Sequence, residues 1–197
     1  MNKFLLLVIT ATILFSCKEK EPSIVEEGPV LVTPELTTAT LDESTPNVED
    51  LKEKANYAVV NYMTAMNDGN IDDLMDLIFK EAMFKAGLNN EQIRESLNTL
   101  MESDMKPFNL KSFSLHSFTE TDEYYIFTVP TEASAYLDGK LVDIKSQIFA
   151  ISDKTSNGET WMFIDNGEQT KQIFEDNFPE LSEKLSFSKP EILSIEY

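Results

Sequence analysis

From position 48 onward, apolar residues return at three- and four-residue steps: Val48, Leu51, Ala55, Val59, Tyr62, Met63 and Met66. That period lays a single apolar stripe along a helix. Thr45-Pro46 predicts its start, with Thr as the cap and Pro as the first helical residue, where no N–H is needed. Asp68-Gly69 predicts its end. Asn70 then caps a short second helix carrying Ile71, Leu74, Leu77 and Ile78, and a third begins at Asn89 or Asn90 with Ile93, Leu97, Leu100 and Met101 inward. Pro107 limits the third.

From Phe108 the helical steps give way to alternation rich in aromatic and β-branched residues, the pattern of strands. Strands are predicted near Asn109–Phe118, Glu123–Val129, Ala133–Leu137, Lys140–Ser152 and Thr160–Asp165. Asp138-Gly139 suits a two-residue hairpin and Asn157-Gly158 the tip of a longer one. Leu110 and Phe113, three apart, break the alternation and suggest a bulge. A last helix over Glu168–Phe178 turns Ile173, Phe174 and Phe178 inward. The tail from Ser186 can add an edge strand, to which Pro190 confines it. Helices first and an antiparallel meander after them make an α+β fold, in which the sheet covers its apolar face with those helices. Residues 46–197 form one domain without internal repeats.

The first 45 residues follow neither period. Lys3, the apolar run Phe4–Phe15 and the small Ser16 have the three parts of a secretory signal over 1–16. A run of about twelve falls short of the roughly twenty that span a bilayer. Leu14-Phe15-Ser16-Cys17 resembles a bacterial lipobox, which implies that Cys17 is acylated and becomes the first mature residue. The competing reading is a buried free cysteine. Two or more acyl chains, such as palmitate, anchor stably where one is marginal. From Cys17 to position 45 the chain carries Pro22, Pro29 and Pro34 and reads as a tether, with a root-mean-square span of roughly 30 Å. Lys18 stands where an aspartate would suggest inner-membrane retention, so an outer-membrane, cell-envelope destination is implied. Lys18-Glu19-Lys20-Glu21 loosely resembles the acidic export tags of Bacteroidota surface lipoproteins; which face of the membrane carries the protein stays open.

Composition narrows the partners. The mature chain has 15 Lys and Arg against 35 Asp and Glu, a formal charge of −20. Such a surface repels nucleic acid and anionic lipid headgroups. Cys17 is the single cysteine, so no intrachain disulfide or cysteine-based metal cluster forms.

The order of these elements resembles a nuclear transport factor 2-like, or SnoaL-like, domain. The resemblance rests on the segment from Ala65 through Asn67-Asp68-Gly69-Asn70 to Leu74, on Leu137-Asp138-Gly139-Lys140, and on Gly158-Glu159-Thr160-Trp161-Met162-Phe163-Ile164-Asp165, and it covers about residues 46–178. It implies three N-terminal helices packed on a curved, cone-shaped antiparallel sheet, with a C-terminal helix. It does not imply a reaction, because the fold hosts hydrolases, isomerases, adaptors and binding domains.

Candidate chemistry is sparse. His116, the sole histidine, is the general acid or base that enzymes of this fold pair with a carboxylate inside the cone. No spacing selects that carboxylate, and a lone strand histidine is more often a surface or core residue. Tyr62, Met66, His116, Phe127, Phe149, Trp161 and Phe163 can line a pocket, or the same aromatic residues can fill the cone. Asp153-Lys154-Thr155-Ser156-Asn157-Gly158 matches half an EF-hand loop, but Ile164 stands where its bidentate carboxylate belongs. Nucleophile elbow, P-loop, dinucleotide fingerprint and zinc helix are all missing, so no cofactor, metal or catalytic residue is assigned. The sequence therefore reads as a non-enzymatic, lipid-anchored protein that binds a small apolar ligand or a protein partner, or self-associates through its sheet face. A His116 enzyme and a purely structural lipoprotein are the alternatives. Replacing Cys17 with Ala is expected to move the protein from the membrane pellet to the soluble fraction; full sedimentation of the variant with membranes would contradict the lipid anchor.

Overall fold

The computed structural model describes residues 46–196. The expected signal, Cys17 and the tether to position 45 lie outside the described residues.

Four helices precede the sheet: α1 (Val48–Asp68), α2 (Ile71–Leu77), α3 (Lys80–Lys85) and α4 (Asn90–Glu102). Their ends follow capping chemistry. Asn47, not Thr45, caps α1, its side chain accepting from the Glu49 N–H at 3.1 Å, and Pro46 lies outside the helix. Gly69 ends α1 with φ 70°, a left-handed conformation open to glycine. Asn70 caps α2, and Asn89 with Gln92 forms a reciprocal capping box on α4 at 3.0 and 2.9 Å. The sequence pattern predicts three helices here. The extra one, α3, is six residues long and has no side-chain cap, so neither period nor cap marks it.

The sheet strands are β1 (Phe108–Ser112), β2 (Phe118–Glu120), β3 (Tyr124–Leu137), β4 (Lys140–Asp153) and β5 (Met162–Asp165); after α5 (Glu168–Asn177) and α6 (Pro179–Lys184) comes β6 (Glu191–Glu196). All pair antiparallel in one open six-stranded sheet, so the fold is α+β. Its centre is the hairpin of β3 and β4, 14 residues in each strand, closed by Asp138 (φ 51°) and Gly139 (φ 76°), both at the positive φ that a type I′ turn needs. Two short strands flank each side: β1 and β2 pair with β3, and β5 and β6 with β4.

Pro130 explains a difference from the sequence reading. The segments predicted as 123–129 and 133–137 are one strand running through Pro130, whereas the strand predicted over 109–118 is two. A residue in an antiparallel strand points its N–H and C=O to the same side. The Pro130 carbonyl accepts from Phe113 N at 3.0 Å, so its missing N–H faces the 113–117 loop between β1 and β2, where no ladder partner stands. The suspected bulge lies within β1, where Asn109 takes φ 53° and the register shifts. There the Asn67 side chain of α1 accepts from Leu110 N at 2.9 Å and donates to Leu110 O at 3.2 Å.

Both faces of the hairpin base are covered, not one. On the first face, Tyr125, Phe127, Val129, Ile148, Ala150, Trp161 and Phe163 pack under Leu51, Ala55, Val59 and Met63 of α1. On the second, Tyr124, Ile126, Phe149, Ile151 and Ile164 pack under Phe79 and Ala82 near α3, Phe174 of α5, and Phe178, Leu181 and Leu185 around α6. Each fully buried large side chain contributes about 1.5–3 kcal/mol. The buried Asn166 then pins the tail: its amide nitrogen donates to Gln147 Oε1 at 2.8 Å and Ser186 O at 3.1 Å, and its oxygen accepts from Ser188 N at 3.2 Å. The tail proceeds past Pro190 into β6, the edge strand beside residues 141–145 of β4.

Two glycines test this packing. Gly139 and Gly158 share φ 76°, but a Cβ on Gly139 meets nothing within 4 Å, whereas one on Gly158 collides with the buried Leu51 side chain. Gly139→Ala is expected to cost about 1–2 kcal/mol of left-handed strain. Gly158→Ala should cost roughly 1–3 kcal/mol more through overpacking. Urea unfolding followed by Trp161 fluorescence checks the order; equal losses would contradict it.

Candidate functional site

The residues expected to line a pocket divide among three places. Phe127, Trp161 and Phe163 share the face beneath α1, with Phe127 and Trp161 ring centroids 5.6 Å apart. Trp161 is buried and spends its one donor on Gly158 O at 2.8 Å. Tyr62 stacks on Phe163 at 4.6 Å and 24° and bridges to Met66, which packs with Ala65 and Leu74. Phe149 belongs elsewhere: it neighbours Ala150 on β4, and strand alternation sends it to the opposite face, against Phe174 and Phe187.

His116 is not on a strand. It sits in the 113–117 loop with an exposed side chain, held by its backbone N–H to Thr128 O at 2.9 Å. The neighbouring Leu115, not His116, enters the core under α1. The Asp153 loop uses its oxygens on itself, since Asp153 Oδ1 accepts from Thr155 N and Thr155 Oγ1, both at 2.7 Å. At α2, Asp72 pairs with Arg94 at 2.6 Å and Asp73 accepts from Asn70 at 2.6 Å. Among the described residues no group of three His, Cys, Asp or Glu is arranged to hold a metal, and no helix is long and apolar enough to cross a membrane.

Two open hollows on the surface contain none of the expected pocket residues. One, of about 510 Å³, lies open between α2 and α4, with Asp72, Asp76 and Glu91 beside Lys80 and Arg94. The other, of about 290 Å³, lies between α5 and the tail, with Lys171, Ser182, Phe187 and Lys189.

A different surface stands out at the turn end of the hairpin. α3, α5 and α6 cover only the base of the second face, and beyond it the same face is bare. There Phe108 and Tyr136 stack at 5.6 Å and 29°, and Tyr136 is 47% exposed. Beside them Asp143 accepts from Ser134 Oγ at 2.7 Å and from Ser194 Oγ at 2.8 Å. These hydroxyls, with the nearby Lys111, hold the Asp143 carboxyl below its ordinary range. Sequence reasoning passes over this set because its members come from β1, β3, β4 and β6. The available signal is parity: Ser134 and Tyr136 alternate with Ala133, Ala135 and Leu137, a strand with one polar face.

No family model matches this chain, and neither the curated proteins nor the solved structures contain a match.

Two phenols mark how closed the interior is. Burial, and then the Asp165 carboxylate, push Tyr62 above its ordinary value of 10.0; burial, and then the hydrogen bond to Glu81 at 2.8 Å, do the same for Tyr124. Only the unfolded chain ionises them near pH 10, so the stability these two phenols contribute is constant below that pH and is lost as pH rises above it. An ultraviolet alkaline titration should show a late phase that shrinks in Tyr62→Phe and Tyr124→Phe. A single phase with all tyrosines ionising together in the folded protein would contradict the assignment.

Proposed function

We propose that this protein is a non-enzymatic lipoprotein of the cell envelope, anchored by acyl chains on Cys17, whose nuclear transport factor 2-like domain binds its partner on an outer surface and not in an internal pocket. The observation that carries this reading is the filled interior. Tyr62, Phe127, Trp161 and Phe163 occupy the space beneath α1 by packing on one another. An apolar ligand would have to displace them, and each such side chain loses about 1.5–3 kcal/mol if expelled to water.

Support for the domain type comes from the helices ahead of the meander, the type I′ turn at Asp138-Gly139, and Trp161 packing under α1. A His116 enzyme draws no support from an exposed loop side chain. Localisation to the outer membrane rests on the Cys17-Lys18 context.

Trp161 is the only tryptophan and therefore reports directly on the interior. Titration with a brominated fatty acid, which quenches indole on contact, should leave its fluorescence without a saturable change. Stoichiometric, saturable quenching would overturn the reading in favour of an internal apolar site.

A further inference from the structure

We infer that β6 is a displaceable strand, a strap that opens as one unit back to Pro190 and so gates the edge of β4. The chain before Pro190 stays locked while it does.

A free sheet edge invites unwanted pairing, and three of the four short strands have theirs closed by fixed neighbours. On β1 the Asn67 side chain meets both backbone groups of Leu110, at 2.9 and 3.2 Å. On β2, Thr121 N bonds to Tyr124 O, which turns the alternate residue Glu120 outward, and Lys184 Nζ donates to the Glu120 carbonyl at 3.0 Å. On β5, Phe79 N donates to Phe163 O at 2.8 Å. Residues 141–145 of β4 are closed differently, by β6 itself.

β6 is held lightly. Ile192 and Leu193 are 44% and 49% exposed, and among the described residues no β6 side chain joins the three buried clusters. Its hydrophobic hold is correspondingly small, because that hold follows the apolar area removed from water. The ladder is interrupted as well: Asp143 pairs with Ser194 and Ile144 with Ile192, which leaves Leu193 without a partner in register. Ser194 Oγ donates to the exposed Asp143 carboxylate at 2.8 Å, and Glu191 stands opposite the exposed Lys145. Water competes for both contacts.

The lock lies just upstream. Ser186 O and Ser188 N are both bonded to the buried Asn166 side chain, and between them Phe187 meets Phe149 and Phe174 at centroid distances of 5.5 and 5.9 Å. Leu185 is buried in the same cluster. Only Lys189 and Pro190 separate this lock from the strand, and Pro190 has no N–H for the ladder to lose. Opening therefore breaks surface bonds, stops at Ser188 and leaves the aromatic core shut. Moving parts of proteins are drawn from such sub-global openings.

Hydrogen–deuterium exchange of the full chain in detergent, resolved residue by residue, tests this. Corrected for intrinsic rates, the amides of 191–196 should exchange about a hundredfold faster than those of 148–151, while the bonded Leu185 and Ser188 amides stay protected. Asn166→Ala should bring Ser188 to the rate of β6. A disulfide joining Asp143→Cys and Ser194→Cys, opposite positions in the ladder, should slow β6 exchange about tenfold or more, and reduction should restore it. Near-ultraviolet circular dichroism confirms the fold of each variant, and the disulfide pair decides if Asn166→Ala does not fold. Exchange of β6 as slow as 148–151 would mean that it opens only with the whole protein. That result, exchange of Ser188 together with β6 in the unaltered protein, or β6 exchange indifferent to the disulfide would each overturn the inference.

Discussion

At the base of the β3–β4 hairpin, residues 124–129 and 148–152 are buried without a break. Alternation sends half of those side chains to each side of the sheet, so neither face can be left to water. The remaining architecture follows from that demand. α1 lies along one face with Leu51, Ala55, Val59 and Met63, and the segment from Phe79 through α3, together with α5 and α6, closes the other. Two separate clusters therefore share one pair of strands, and loosening either exposes the hairpin that supports both.

The same constraint sets which parts of the sheet are closed and which are open. The space beneath α1 is taken by aromatic residues in mutual contact, and the second face is closed at its base by Phe174, Phe178 and Leu181. The hairpin, however, is longer than its covering. Past Pro130 the second face turns polar, and its stability comes from cross-strand pairs such as Ser134 with Asp143 and Phe108 with Tyr136, which work in contact with water. A filled base and an uncovered far end divide the hairpin: the first holds the fold, and the second stands in contact with water.

Much of this is legible in the residues. Asn70, Asn89 and Gly69 mark helix ends because capping is local chemistry, and Asp138-Gly139 marks the hairpin because only such pairs accept two positive φ values. The edge strand after Pro190 is legible for the same kind of reason. What escapes is decided by distant packing. Phe149 reads as a companion of Trp161 until strand parity places it on the other face. The run Tyr124-Tyr125-Ile126-Phe127, apolar at both parities, is the signal that both faces are buried, yet it does not say which helices do the burying. His116 reads as a strand residue because the gap opposite Pro130 depends on a backbone donor that Pro130 lacks. α3 is too short for a period to show.

Hydroxyl-radical footprinting of the folded protein reads two-sided burial most directly, because oxidation follows side-chain exposure. The account requires Phe149, Phe174 and Trp161 all to be protected while Tyr57 and Tyr136, 73% and 47% exposed, are oxidised rapidly. Fast oxidation of Phe149 and Phe174 in a protein whose Trp161 stays protected would mean a sheet covered on one face only, and would contradict the account.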